Sequence, residues 1–367
     1  MVGETERSGN RQVRSLVPSD LAIWARVAFS ASLTCTPPST CQRARSAPPP
    51  SAPRRHLKLS ATVLGLFDSC KCEGERLASG TNKSKRSKTL AKPIVRVPCS
   101  IWRASGLSRG ERPIPEETAI AFTYNTASYA VMMATPQDLE DFAIGFSLTE
   151  GVIPSIDAIE TIEIVEEEVG IELRIWLKVR DAAAFLGRRR KMAGPTGCGL
   201  CGIESLVEAM RPPPKVRGNP VFAPHEIMTA IDSLFPLQEL NRETRAVHGA
   251  GFFDSERGLV AMREDVGRHN ALDKLAGVLA REQMAPEQGI VLLTSRVSVE
   301  MVQKSAAIGA PIIVAVSAPT ALAVRMAEAA GMTLVAVARK DGFEVFTNPH
   351  RVRGAVFYQK SLLKAQL

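Results

Sequence analysis

From residue 225 to residue 347 the chain alternates short β-branched runs with amphipathic stretches of about a dozen residues, and few folds accommodate that order. A helix over 225–235 puts Ile227, Ile231, Leu234 and Phe235 on one face. Strands over 245–252 and 258–263 follow, with a turn at Ser255 to Gly258. Then come helix 270–280, strand 289–294, helix 298–308, strand 311–317, helix 320–330, strand 333–338 and a last strand, 343–347. The order α-β-β-α-β-α-β-α-β-β predicts an α/β domain, with a mostly parallel sheet, helices on both faces and the leading hairpin as an antiparallel edge.

A smaller α+β unit precedes it. The β-rich runs 118–124 and 127–134 are split by Asn125-Thr126, which reads as a hairpin. Thr135 is the expected N-cap of the next helix, with Pro136 at its first position and Asp138 completing a capping-box-like pattern. Leu139, Phe142, Ala143 and Phe146 repeat at helical spacing until Gly151. Strands are expected at 158–166 and 171–179, and a short helix at 181–190 ends in Arg188-Arg189-Arg190-Lys191. The proline-rich stretch 212–224 reads as a linker between domains 113–211 and 225–367. No internal repeat is evident.

Residues 1–112 look different. They carry Pro37-Pro38, Pro48-Pro49-Pro50 and a basic run from Lys83 to Lys88, a composition that reads as a disordered extension or an over-extended start. The first 100 residues carry a balance of +11, and the remainder carries −3. The basic character therefore belongs to the extension, and no nucleic-acid partner is expected for the folded part. Five of seven cysteines lie in that extension, which points to a reducing, cytoplasmic setting rather than a disulfide scaffold. The most apolar region, 309–338, is interrupted by Pro311, Pro319, Arg325, Glu328 and Gly331, so no membrane span is expected. The apolar residues 21–35 are broken by Arg26, and no small-residue cleavage site follows.

The remaining cysteines form Gly197-Cys198-Gly199-Leu200-Cys201-Gly202. Ile203, Leu206, Val207 and Met210 then recur at helical spacing, so a helix N-terminus would favour a thiolate in this glycine-flanked loop. Persulfide or redox chemistry, half of a zinc site, and a structural pair are all compatible with the residues alone. Zinc would need two further ligands, for which His248 and His269 are available without the usual spacing. A second constellation, Arg263-Glu264-Asp265-Val266-Gly267-Arg268-His269-Asn270, crowds polar groups at a strand-to-helix corner where ligands of open sheets bind. The competing reading is helix capping by Asn270 and a surface ion pair of Asp265 with Arg268. Two further strand-to-helix loops, Thr294 to Ser298 and Ser317 to Thr320, suit phosphate or ordinary N-capping by Ser298 and Thr320. There is no Walker-type loop. The basic turn Arg339-Lys340-Asp341-Gly342 sits at the same predicted sheet edge.

Together these motifs resemble the FdhD family. The resemblance is carried by Glu116-Glu117-Thr118, Asp138 to Phe146, Thr149 to Ile153, Cys198 to Gly202, Asp265 to Lys274 and Thr294-Ser295-Arg296, over about 113–355. It implies a sulfurtransferase that takes persulfide sulfur from a cysteine desulfurase and passes it to the molybdenum (or tungsten) bis-guanine-dinucleotide cofactor for formate dehydrogenase. It implies a cytidine deaminase-like α/β/α carboxy-terminal domain, Cys198 as carrier and Cys201 as helper. It also implies a cofactor-holding loop at Val337, Ala338, Arg339, Lys340, Asp341 and Gly342, with Arg296, Ser298, Ser317, Thr320 and His269 alongside. No resident metal is expected, and a homodimer is. The alternatives are a cofactor-binding chaperone without sulfur chemistry, and a zinc-dependent deaminase-like hydrolase. The latter is disfavoured because the chain has no His-x-Glu. The long basic extension is a departure from the family.

Overall fold

The computed structural model describes residues 92–178 and 210–355. Its first element is a hairpin, β1 (Ile94–Arg103) and β2 (Gly106–Pro115), that forms a two-stranded sheet. This corrects the expected boundary at 112, because the hairpin spans the last residues assigned to a disordered extension. The prolines of the ladder obscured it. Pro98, Pro113 and Pro115 all share the pleat parity whose nitrogens face away from the partner strand, so no ladder donor is lost.

The small unit follows. β3 (Thr118–Tyr124) and β4 (Ala127–Ala134) are joined at Asn125 and Thr126, both with positive φ, as the sequence break anticipates. β5 (Ile159–Glu167) and β6 (Gly170–Leu177) complete a sheet of order β4-β3-β6-β5. Helix α1 (Leu139–Thr149) packs Phe142 and Phe146 against Phe122 of this sheet. Thr135 is not its cap. The helix starts after Asp138, which adopts a left-handed conformation, and Thr135 is fully buried among groups of the second domain. Its N–H donates to Asp265, its hydroxyl accepts from the Val266 N–H, and its carbonyl accepts from Lys274.

The second domain carries α2 (Pro224–Leu234), a short α3 (Glu239–Thr244) that the pattern did not anticipate, and β7 (His248–Asp254), β8 (Gly258–Asp265) and α4 (Arg268–Arg281). Then come β9 (Gly289–Leu293), α5 (Val299–Ala307), β10 (Ile312–Ala315), α6 (Ala321–Ala330), β11 (Thr333–Arg339) and β12 (Gly342–Thr347). The sheet order is β12-β11-β10-β9-β7-β8. Only the β9–β10 and β10–β11 pairings are parallel, so "mostly parallel" is corrected to mixed. One core joins the sheet to α4, α5 and α6, and a second joins its other face to α2. This is the expected α/β/α layering. The stretch before α2 lies along this domain, with the Val216 N–H on the Ala330 carbonyl and Phe222 bridged to Val352.

Helix α1 lies between the small sheet and α4. A Cβ on Gly145 would run into the Asp273 carbonyl, and one on Gly277 into that of Asp141. These two glycines let the backbones of α1 and α4 meet, which seats one unit on the other. No helix among the described residues is long and apolar enough to cross a membrane.

Candidate functional site

Strands β8, β9, β10 and β11 run in one direction, because β7 is antiparallel to both β8 and β9. Their carboxyl ends therefore share one edge, and α4, α5 and α6 all begin there. Backbone bonds stitch the edge loops together. The Val297 N–H donates to the Ala318 carbonyl (3.3 Å), the Thr320 N–H to Val297 (2.9 Å), and the Val337 N–H to Ser317 (3.3 Å). Thr294 ties this rim to β7 through the Gly249 N–H at 2.9 Å. Arg296, Ser298, Ser317, Thr320 and Val337, expected to act together, are thus brought to one rim. His248 opens β7 at the same edge, and the cations of Arg268 and Arg296 act on it.

The rim residues are not equivalent. Thr320 caps α6 by accepting from the Ala323 N–H, so its hydroxyl is already engaged. Ser298 does not cap α5, and its buried Oγ has no partner among the described residues. Arg296, Arg339, Lys340 and Asp341 are exposed, and Lys340 and Asp341 form the turn between β11 and β12. Ala338 belongs to the α2-side core, so it offers a ligand only backbone. Val337 has φ of 53° beside a register shift in the β11–β12 ladder. For a β-branched residue that is strained backbone, of the kind stored at sites.

Four buried polar atoms around the N-termini of α4 and α5 have no partner among the described residues: Arg268 Nε, His269 Nε2, Ser298 Oγ and Glu300 Oε2. His269 Nε2 lies 3.9 Å from Glu300 Oε2, too far for a hydrogen bond. Such groups normally have partners in folded proteins, so their concentration here marks the candidate site. Glu300 carries no motif in the sequence, and only its position in the first turn of α5 at the carboxyl edge reveals it. His248, available in the sequence only as a zinc ligand, opens β7 at that edge.

The rest of the polar corner is structural. Asp265, fully buried, lies 2.7 Å from Lys274 Nζ and also accepts from the Gly267 N–H and Asn270 Nδ2. Asn270 donates as well to the Met133 carbonyl. The anticipated capping role for Asn270 and surface pair of Asp265 with Arg268 are therefore corrected. Lys304, also buried, donates to Asp273, Glu150 and Thr149 at 2.6–3.0 Å. The two carboxylates hold the Lys304 ammonium charged against its burial.

Burial pushes the pKa of His269 down to about 4, and the charges of Arg268 and Lys304 push the same way. Burial also raises Asp273, to about 6, against the opposing pull of Lys304. A histidine with a depressed pKa contributes stability that is present above its unfolded pKa of ~6.5 and is lost as pH falls towards 4. Asp273 has the opposite slope between the ordinary aspartate value of 3.8 and about 6. Substituting His269→Gln removes only the first slope. The stability difference between wild type and variant should therefore shift by about 3 kcal/mol, in the variant's favour, between pH 7 and pH 4. Urea unfolding of both proteins across that range reads the shift, and parallel pH profiles would refute the assignment.

The chain leaves the described residues at Lys178, whose N–H donates to the Ala158 carbonyl, and returns at Met210. The Arg211 carbonyl accepts from Gln303 Nε2 at 2.9 Å, one turn along α5 from Glu300. Cys198, Cys201, the Arg188–Lys191 run and the helix expected over 181–190 lie outside the described residues. A pocket of about 250 Å³ lies elsewhere, against the β3–β4 turn. Its Thr123, Glu172 and Arg174 satisfy one another, so it leaves little for a ligand to complete.

A family model described as FdhD/NarQ matches residues 115–353. The chain is 51% identical over 264 residues to a sulfur carrier protein FdhD of Agrobacterium fabrum, covering 70% of this chain and 95% of that protein. It is 53% identical over 251 residues to one of Brucella abortus biovar 1, covering 68% and 93%. A crystal structure from Desulfotalea psychrophila, described as a formate dehydrogenase accessory protein, superposes with a TM-score of 0.57 at 27% identity. It covers 71% of this chain and 99% of that one.

Proposed function

Because the chain belongs to the FdhD/NarQ family, we propose that it is a sulfur carrier serving formate dehydrogenase, and that Cys198 carries the sulfur. The Cys198 thiolate attacks the outer sulfur of a cysteine desulfurase persulfide. A new sulfur–sulfur bond forms at Cys198, and the desulfurase cysteine leaves as thiolate. Cys201 assists in the same loop. The carried sulfur then passes, at the sulfane level, to the molybdenum bis-guanine-dinucleotide cofactor, the substrate in this reading: the sulfur–sulfur bond breaks and Cys198 returns as thiolate.

The observation that supports the cofactor half most directly is the carboxyl-edge rim. Three helix N-termini, Arg268, Arg296 and Arg339 converge there, and a molecule rich in phosphates meets free N–H groups and positive charge at such an edge. Ser298, His269 and Glu300, without hydrogen-bond partners among the described residues, supply polar contacts of both signs. The docking of Arg211 on Gln303 brings the segment that follows the cysteines back onto α5, the helix that also carries Glu300. A family relationship to sulfur carriers and a rim suited to a nucleotide together favour transfer.

The test is intact mass after incubation with a cysteine desulfurase and cysteine, before and after reductant. Wild type should gain a reducible mass of roughly 32 Da, one sulfur, and Cys198→Ala should gain none. A variant that still loads sulfur and still activates formate dehydrogenase would overturn the role of Cys198. Activation retained with both cysteines replaced by serine would instead favour a cofactor-binding chaperone.

A further inference from the structure

His248 opens β7 at the carboxyl edge of the sheet, and we propose that His248, Arg268 and Arg296 form a phosphate subsite that takes up a proton when the anion binds. The proposal rests on the reading of the rim as the holder of a guanine dinucleotide. It adds which groups meet phosphate on this side of the rim and how pH governs the contact.

Three elements bring the groups together. His248 and Asp265 are cross-strand partners in the β7–β8 ladder, so their side chains stand on one face of the sheet. That face is the one α4 covers, because Asp265 meets Asn270 and Lys274 there. Arg268 is the first residue of α4. The Gly249 N–H donates to Thr294 Oγ1 at 2.9 Å, which fixes the start of β7 beside the loop that carries Arg296. Neither α4 nor α5 has a side-chain cap, so the first-turn N–H groups of both helices are open to an acceptor from this corner.

Positive charge dominates around the imidazole. Among the described residues the charges that act on His248 are Arg268 on α4, Asp265 on β8 and Arg296 on the β9–α5 loop. Asp265 is already committed, with Lys274 Nζ 2.7 Å away and the Gly267 N–H and Asn270 Nδ2 donating to it. Burial first, and then Arg268 with Arg296, hold the imidazole below the ordinary histidine range against the pull of Asp265. His248 is therefore neutral at pH 7 beside two guanidiniums. A phosphate between them changes the balance. It offsets both arginine charges, and it offers oxygens to which an imidazolium donates a charge-assisted hydrogen bond. The proton comes from solvent and returns there on release. Binding is thus strongest below the free-protein pKa of His248, weakens as pH rises through the bound-state value, and levels off above it.

The experiment is isothermal titration of the full chain with GDP, which carries guanine and a diphosphate, from about pH 5.5 to about pH 8.5 in two buffers of different ionisation enthalpy. Wild type should take up a proton near neutrality and lose affinity by up to about tenfold per pH unit. His248→Gln should lose that uptake, bind more weakly at the acid end and approach wild type at the alkaline end. His248→Lys, charged over this range, should restore tight binding with a flatter profile. The GDP phosphate itself ionises at about pH 6 in all three proteins, so the difference between them is the readout. Guanosine, which lacks phosphate, should bind wild type and His248→Gln with the same pH profile. Proton NMR of the wild-type His248 ring reads the same linkage without any variant, and its titration should move to higher pH when GDP saturates the site. Equal proton uptake in wild type and His248→Gln, or a His248 titration that GDP leaves unmoved, would overturn the proposal and leave the cofactor reading standing. A wild type that binds no GDP at any of these pH values would overturn both.

Discussion

Replacing Lys274 with alanine should destabilise the protein by about 3–5 kcal/mol, the usual cost of leaving one member of a buried ion pair without the other. Lys274 and Asp265 are both fully buried and 2.7 Å apart. Lys274 also donates to the Thr135 carbonyl at 2.9 Å and stands 5.5 Å from the centre of the Phe142 ring. Truncation leaves the Asp265 carboxylate in an apolar seam with N–H donors but no countercharge. It also strands the Thr135 carbonyl and opens a cavity under α1. The pair can be tested as a pair. Asp265→Asn with Lys274→Met keeps the volume and removes both charges, so it should cost less than the two single substitutions added together. Chemical denaturation of the four proteins in a double-mutant cycle supplies the measurement. A Lys274→Ala protein within about 1 kcal/mol of wild type would show that this pair does not hold the seam.

The same seam explains where local sequence rules give way. Thr135-Pro136 followed by Asp138 looks like a helix start because hydroxyl, proline and acid fall at the right offsets. Thr135 instead spends its N–H, hydroxyl and carbonyl on the second domain, 130 to 139 residues further along the chain. No local pattern encodes that competition. The β3–β4 hairpin, by contrast, depends on its own two-residue turn, and its limits were legible to the residue. The alternation over 225–347 likewise marked the strands and the long helices. It could not show that β7 enters the sheet between β8 and β9, which is what makes the sheet mixed. The hairpin at 94–115 was hidden because prolines and arginines outweigh its alternating Val95, Val97 and Ile101.

The site was legible in its motifs more than in its roles. The corner Arg263 to Asn270 stands out in the sequence as a cluster, but two functions are interleaved in it. Asp265 and Asn270 face inward and hold the units together, while Arg268 and His269 lie at the start of α4 beside the rim. Helical spacing sorts faces only when the buried neighbour is known, and here that neighbour is the small domain. Ser298 and Thr320 look alike as loop-ending hydroxyls. Only the folded geometry separates them: Thr320 caps its helix and Ser298 does not. Glu300 belongs to no motif and enters because its Oε2 and the His269 Nε2 lie 3.9 Å apart without hydrogen-bond partners among the described residues.

Gly145→Ala and Gly277→Ala should each destabilise the protein by about 2 kcal/mol or more, the reverse of what these substitutions do in an open helix. Alanine in place of glycine in a helix interior is normally worth about 0.5–1 kcal/mol of added stability. At these two positions the new methyl would overlap backbone, the Asp273 carbonyl for Gly145 and the Asp141 carbonyl for Gly277. Backbone cannot rotate away as a side chain can, so α1 and α4 would have to separate along their length. Separation would pull Thr149 and Glu150 away from Lys304 and Asp273, costing buried hydrogen bonds at the far end of α1. Once the helices have moved apart for one methyl, the second finds room already made. The double substitution should therefore cost clearly less than the sum of the singles, the coupling expected of residues that share one contact. Thermal and urea unfolding of the three variants measures both effects. A gain in stability from either alanine would mean that the two helices do not meet as closely as this crossing requires.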